Sequence, residues 1–226
     1  MHYFLVYNDN THTEPLNILI KSVEKFGKEF QIIIFNKEEI DIDFYQKNKS
    51  ILESKRGGGY WLWKPYIINK ILNKINENDV LLYLDSTYYF TEKFTDLYQK
   101  HLEKNDLLVF KNKPNESTNC MKHLCKMDVV IKYNMYNKLF IENVEEYWAG
   151  CIFIKKTENT MEIMKEWLQM CCNHDDITDS PSQNQNYRYF WDHRHDQALL
   201  SIILHKKNIT PCHFEKNYLQ NMRYPY

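Results

Sequence analysis

Glycine is scarce in this chain: five residues out of 226, and three of the five are consecutive, Gly57, Gly58 and Gly59. The run matches neither a Walker A loop nor the spaced dinucleotide fingerprint, which excludes both phosphate-binding signatures. An excess of one charge is missing too. Lys and Arg number 29 against 30 Asp and Glu, a formal net charge of -1, so no basic field exists to hold a nucleic acid or an anionic membrane, and any phosphate must be bound locally. No apolar run approaches the roughly 20 residues that span a bilayer. The opening Met1 to Tyr7 is too short for a secretory apolar region and reads as a first strand. Six cysteines lack paired metal-ligand spacing, since Cys120 and Cys125 have no matching second pair, and reduced thiols in a cytoplasmic protein are expected. No internal repeat or low-complexity tail is present, and the length suits a single domain.

The pattern that is present alternates strands with helices. Tyr3 to Tyr7 reads as a strand, and Pro15 suits the first turn of a helix whose Leu16, Leu19, Ile20 and Val23 recur at helical spacing until Gly27. Gln31 to Phe35 reads as a second strand. Phe44 to Lys55 and Trp63 to Ile75 read as helices on either side of the glycine run, followed by the strand Val80 to Leu84. Further helices are predicted at Phe94 to Leu102, Met161 to Cys172 and Asp196 to His205. Strands are predicted at Leu107 to Phe110, Cys151 to Ile154 and Ile209 to Cys212. This alternation predicts an α/β fold with a mainly parallel central sheet and helices on both faces.

Three segments carry candidate chemistry. Asp85 follows the most strand-like run of the chain, and in an open α/β sheet ligands lie outside the carboxyl ends of the strands. Asp85, Ser86 and Thr87 offer hard oxygen ligands suited to Mg²⁺ or Mn²⁺, although an Asp that merely caps the next turn would read the same way. The glycine run lies between Arg56 and Lys64, two cations near a helix start; it reads as a phosphate-facing loop, or as a plain hinge. Trp191 to Gln197 packs two His, an Arg and two Asp into a short stretch that runs into the apolar helix Ala198 to Leu204. The cluster reads as a site, and Asp196 alone as a helix-start acid.

Taken together these segments resemble the GT-A type glycosyltransferases, in particular the small stand-alone sugar-transferase domains of bacteria and large DNA viruses. The resemblance rests on Gly59 to Pro65, Leu81 to Asp85, Ala149-Gly150, and Arg194 to Gln197, in that order, and spans roughly residues 1 to 215. It implies a GT-A, Rossmann-like domain over residues 1–226, with a nucleotide-binding part to about residue 110 and an acceptor and catalytic part beyond it. It also implies a hexosyl- or deoxyhexosyltransferase that moves a sugar from a nucleotide-sugar donor, UDP-linked, to a hydroxyl of a glycan or similar acceptor. The donor would lie against Tyr7, Asn8, Arg56, Lys64, Asp85, Ser86, Ala149, Gly150, His195 and Gln197, with Trp148 beside the sugar pocket. Asp85 matches the first Asp of the family's DxD motif and Thr87 replaces the second, so His213 is the further candidate ligand for Mn²⁺ or Mg²⁺. Asp196 or Glu146 would take the acceptor's proton if transfer inverts the anomeric centre, whereas retention would need a nucleophile or front-side attack.

The rivals are weaker. A metal-dependent phosphohydrolase is suggested by His193 to Asp196 but fails on ligand spacing, and no Asp follows Asp196. A nucleotidyltransferase would want a glycine-rich basic loop after the first strand, and Tyr7 to Thr13 has no Gly, Lys or Arg. A non-catalytic nucleotide-sugar binder remains the main alternative. No nucleic-acid partner and no membrane span are expected.

Overall fold

The computed structural model describes residues 1–111, 120–138, 144–212 and 218–222. A five-stranded sheet has the order β2 (Phe30–Asn36), β1 (His2–Asn8), β3 (Val80–Leu84), β6 (Tyr147–Lys155), β5 (Leu107–Lys111). β1 pairs parallel with β2 and β3, while β6 runs antiparallel to both β3 and β5. Four strands therefore point the same way and one is reversed, a mixed α/β sheet that is mainly parallel. β4 (Tyr88–Phe90) and β7 (Leu219–Asn221) form a separate antiparallel ribbon.

Side-chain alternation divides the core between the two faces of the sheet. Leu5, Tyr7, Leu81, Tyr83, Ile152 and Ile154 face α5 (Trp63–Leu72), α9 (Glu158–Cys171) and α11 (His195–Lys206). Phe4, Val6, Leu82, Leu84 and Phe153 face α1 (Thr13–Phe26) and α6 (Thr95–Leu102). Every residue of β3 is buried, as expected of a central strand covered on both sides. α5 carries Pro65 in its first turn, where the missing N–H breaks no helix bond. Thr157 caps α9 by accepting from Thr160 N.

Two expectations are corrected. The predicted helix Phe44 to Lys55 is two short helices, α2 (Ile42–Lys47) and α3 (Lys49–Leu52), broken at Asn48, whose side chain donates to Phe44 O at 2.9 Å. A side-chain amide that bonds its own helix's carbonyls competes with helix continuation. The predicted strand Ile209 to Cys212 is a single bridge, Cys212 to Phe110, at the edge beside β5. Between these landmarks lie three further short helices, α7 (Met121–Leu124), α8 (Met127–Lys132) and α10 (His174–Ile177).

The glycine run forms α4 (Gly57–Tyr60), and its handedness is unusual. From Gly57 to Trp61 every residue has φ between +51° and +104°, a left-handed turn. Each non-glycine residue there costs about 1–2 kcal/mol, so a run of this kind needs glycine at most of its positions. Tyr60 N and Trp61 N bond back to Arg56 O (2.8 Å) and Gly57 O (3.3 Å), and the Trp63 indole donates to Gly57 O at 3.0 Å. A Cβ on Gly59 would lie 2.7 Å from Leu52 Cα, whereas one on Gly58 would meet nothing closer than 3.8 Å. Gly59→Ala is therefore expected to destabilise the fold by at least about 2 kcal/mol, lowering the thermal midpoint by about 4–8 °C. Gly58→Ala should lose about half of that, from left-handed strain alone. Equal losses in a side-by-side melting experiment would contradict the close backbone packing at Gly59.

Candidate active site

The parallel strands β1 and β3 end at one edge of the sheet, and there the structure opens into a cleft of about 850 Å³. Three elements converge at its floor. β3 delivers Asp85, the first turn of α5 delivers Lys64, and the first turn of α11 delivers Asp196. Lys64 Nζ lies 3.1 Å from Asp196 Oδ2 and 3.4 Å from Asp85 Oδ1. Lys64 is 3% exposed and Asp196 4%, while Asp85 is half-buried. The Tyr83 hydroxyl donates to Asp85 Oδ1 at 2.6 Å. Tyr83 and Asp85 are two residues apart on one strand and so share a face. α11 is held in place by the buried Trp167 indole, which donates to Asp196 O at 2.8 Å.

Electrostatics follow from this packing. Burial opposes the Lys64 charge, but Asp196 and then Asp85 outweigh it and lift its pKa above the ordinary lysine value. Burial pushes the Asp196 carboxyl up to about 6 despite the neighbouring ammonium. Burial, then Asp85, raises the Tyr83 phenol, which stays a donor. Burial makes the Asp196 carboxylate more basic than an exposed one, and the adjacent Lys64 ammonium opposes that shift.

The His-rich segment resolves residue by residue. His193 accepts from Lys126 N at Nδ1 (3.4 Å) and donates to Asp176 O at Nε2 (2.7 Å); burial holds its pKa down to about 3, so the ring is a neutral structural strut. His195, at φ +50°, donates through Nδ1 to Ile177 O at 2.7 Å and turns Nε2 toward Asp179, 3.8 Å away. Its ring lies against Tyr60 and Trp61, with centroids 5.0 and 5.4 Å apart. Asp192 and Asp179 both bind Arg56, at 2.5 and 2.9 Å. Gln197 donates to Glu146 Oε2 at 2.5 Å and accepts from Ala149 N at 3.0 Å.

The cleft thus gathers Tyr7, Arg56, Lys64, Asp85, Ser86, His195, Asp196 and Gln197 of the expected residues. Asn8 binds Asn36 and Asn10 beside it. Glu146 is fully buried behind Gln197, and neither Ala149 nor Gly150 lines the cleft. Gly150 is small because the Trp148 indole folds over it: a Cβ there would sit 2.3 Å from Trp148 Nε1. His213 lies outside the described residues. Arg56 and Lys64 already face carboxylates, and the cleft cations with no ion pair among the described residues are Lys37, Lys55 and Arg194. Arg194 belongs to the cluster picked out from the sequence; Lys37 and Lys55 do not, and nothing in their spacing distinguishes them from surface cations. Tyr83 was legible from strand periodicity.

Several solved structures share this architecture. Mouse xyloside xylosyltransferase 1 in its apo form superposes over 95% of this chain and 85% of its own, at 9% identity and a TM-score of 0.52. The chain has the GT-A glycosyltransferase fold. The bifunctional glycosyltransferase WbbM matches over 89% of this chain and 37% of its own, at 11% identity and a TM-score of 0.51. The glycosyltransferase GlyE of Streptococcus pneumoniae matches over 94% and 45%, at 15% identity and 0.49. The chain therefore spans less than half the length of WbbM and GlyE. No protein-family model and no curated protein matches the sequence. No helix of the described residues is long and apolar enough to cross a membrane.

A carboxyl raised from 3.8 to about 6 on folding holds its proton more tightly in the native than in the unfolded state. Its contribution to stability is largest below about pH 4 and is lost as pH rises to about 6, by up to about 3 kcal/mol. Urea unfolding of the wild type and of Asp196→Asn across pH 4–7 should show the wild type losing stability relative to the variant in that window. Parallel profiles would show that Asp196 is not shifted.

Proposed function

We propose that this protein transfers a sugar from a nucleoside diphosphate donor, a UDP-sugar, to a hydroxyl of a saccharide or similar acceptor. The observation that carries this reading is the buried Lys64 ammonium between Asp85 and Asp196, at the floor of a cleft formed where the parallel strands end. The GT-A fold supports it. The donor would lie along the edge of the sheet, with its base near the stacked Tyr7 and Trp63 rings (centroids 3.9 Å apart) and its diphosphate toward Asp85. Lys37, Lys55 and Arg194 are the cleft cations left for the phosphates among the described residues, since Arg56 and Lys64 are held by carboxylates.

A divalent cation fits here in a limited way. Asp85 Oδ1 is engaged by Tyr83 and Lys64, which leaves Oδ2 and the Ser86 and Thr87 hydroxyls as oxygen donors. Mg²⁺ commonly uses one or two carboxylates and takes its remaining ligands from substrate phosphates and water, so a single carboxylate suffices. The described residues contain no group of three His, Cys, Asp or Glu side chains arranged to hold a metal by themselves. Bound there with the donor, Mn²⁺ or Mg²⁺ would neutralise charge on the departing diphosphate.

Asp196 is the group proposed to receive the acceptor's proton. Its raised pKa brings it closer to the optimum for a general base near neutral pH, and Lys64 stabilises the carboxylate between turnovers. Lys64 here is a positioning residue: it holds the two carboxylates at a fixed separation. Glu146 acts at one remove, through Gln197.

Slow hydrolysis of UDP-sugars tests the base without the true acceptor. Asp196→Asn should lower it by about a hundredfold or more while UDP affinity stays within about threefold. Unchanged hydrolysis in the folded variant would exclude Asp196, and absence of hydrolysis in the wild type across UDP-sugars would favour a binding protein. Calorimetry of UDP with Mn²⁺ and with EDTA reads the metal separately. Tighter binding with Mn²⁺ is expected, and Asp85→Ala should abolish the difference; equal affinities in the wild type would remove the metal from the proposal.

A further inference from the structure

The segment 178–194 joins α10 to α11 without regular secondary structure, yet its backbone is pinned along its length. Gln183 N and Asn184 N donate to the Asp128 carboxylate at 2.7 and 2.9 Å, and Asn186 accepts from Met127 N at 2.8 Å. His123 Nδ1 bonds Tyr189 O at 2.8 Å, Trp191 N donates to His123 O at 2.9 Å, and Arg194 N to Leu124 O at 2.9 Å. On this fixed backbone two large aromatic side chains stand in solvent, Tyr189 at 58% and Trp191 at 65% exposure. Leaving such rings in water forgoes the stabilisation that burial would give, and exposed aromatics on a pinned loop mark a contact surface.

Cations alternate with the rings. Arg188 lies over Tyr189 at 5.2 Å, Arg194 over Trp191 at 5.5 Å, and Lys122 over Tyr187 at 5.3 Å. None of these three cations has an ion pair among the described residues. The strip is continuous with the cleft: Asp192, next to Trp191, binds Arg56 on the rim, and Arg194 itself lines the cleft.

We propose that Tyr189 and Trp191 form a platform for a saccharide chain bearing carboxylate or phosphate groups, whose end enters the cleft as acceptor. This rests on the glycosyl-transfer reading of the cleft. Flat aromatic faces suit the C–H faces of pyranose rings, and the interleaved cations suit anionic substituents between them. A polynucleotide is disfavoured by the net charge of -1, because no wider basic field supports the three cations.

The probe is tetragalacturonate, with cellotetraose as the neutral control, each titrated onto the whole protein at low salt and followed by ligand-observed NMR. Tetragalacturonate should saturate in the millimolar range or tighter and bind at least about fivefold more tightly than cellotetraose. Trp191→Ala should weaken it about tenfold, Trp191→Phe much less, and Arg188→Ala about fivefold, with circular dichroism confirming that each variant folds. No saturation by tetragalacturonate, equal affinity for the two saccharides, or an unchanged affinity in Trp191→Ala would each overturn the platform. Trp191-dependent co-sedimentation with phosphatidylserine vesicles, without saccharide binding, would overturn it in favour of a membrane surface. This binding needs neither donor nor turnover. Failure of UDP-sugar hydrolysis would therefore count against the transfer reading and leave the platform result standing.

Discussion

One buried ammonium organises this molecule. Lys64 is removed from water, and an isolated charge in that position would cost several kcal/mol; it is tolerated because two carboxylates from two other elements reach it. The requirement acts in both directions. Without Lys64, Asp85 and Asp196 would face each other across a poorly solvated floor, and breaking such a pair typically costs 3–5 kcal/mol. The first turn of α5, the end of β3 and the first turn of α11 are thereby locked to a common point, although Asp196 is far from the other two in sequence. Packing supplies the remaining precision. Trp167 holds the backbone at Asp196, and Tyr83 fixes one oxygen of Asp85.

The left-handed turn before α5 follows from the same constraint. Lys64 must enter the floor of the cleft while the chain arrives from α3, which packs so tightly against Gly59 that a side chain there would meet Leu52 backbone. Reversing the chain in so little space calls for positive φ at five successive residues. Glycine supplies three, and Tyr60 and Trp61 accept strain at the other two. Both strained aromatics meet His195, itself at positive φ. Strain is concentrated on one wall of the cleft, where the packing of α4 against the start of α11 holds it.

Much of this was legible in the sequence and some was not, for identifiable reasons. The apolar runs of β1 and β3, the helical spacing of α1, α5 and α11, and the position of Asp85 at a strand end depend on short-range periodicity, and they appear where expected. The reversed direction of β6 had no local signal, because a strand buried on both faces reads the same in either orientation. The ion pairs of the flanking cations had no local signal for a related reason. Arg56 and Lys64 flank the glycines and look available for phosphate, but their partners Asp179, Asp192 and Asp196 are more than a hundred residues away, and only the fold brings them together. His193 was likewise grouped with the chemistry, whereas burial and two backbone bonds make it a strut. Composition could not separate a histidine that serves a loop from one that serves a ligand.

The two carboxylates on either side of Lys64 are chemically unlike because they are unequally buried. Asp85 opens to the cleft and keeps an oxygen for whatever lies there; Asp196 is enclosed, and burial, the largest influence on it, raises its basicity against the pull of the Lys64 ammonium. A shared ammonium alone would make them equivalent, so it is the depth of α11 against β6 and α9 that divides their roles. The same division extends outward. Because Arg56 is committed to Asp179 and Asp192, it ties the 178–194 segment to the rim and leaves Arg194 as the cation that faces the cleft from that segment. Arg56, which looks like a ligand contact in sequence, is occupied by ion pairs that tie down the segment carrying Arg194, so the position of one cleft cation is set by an ion pair it does not itself make.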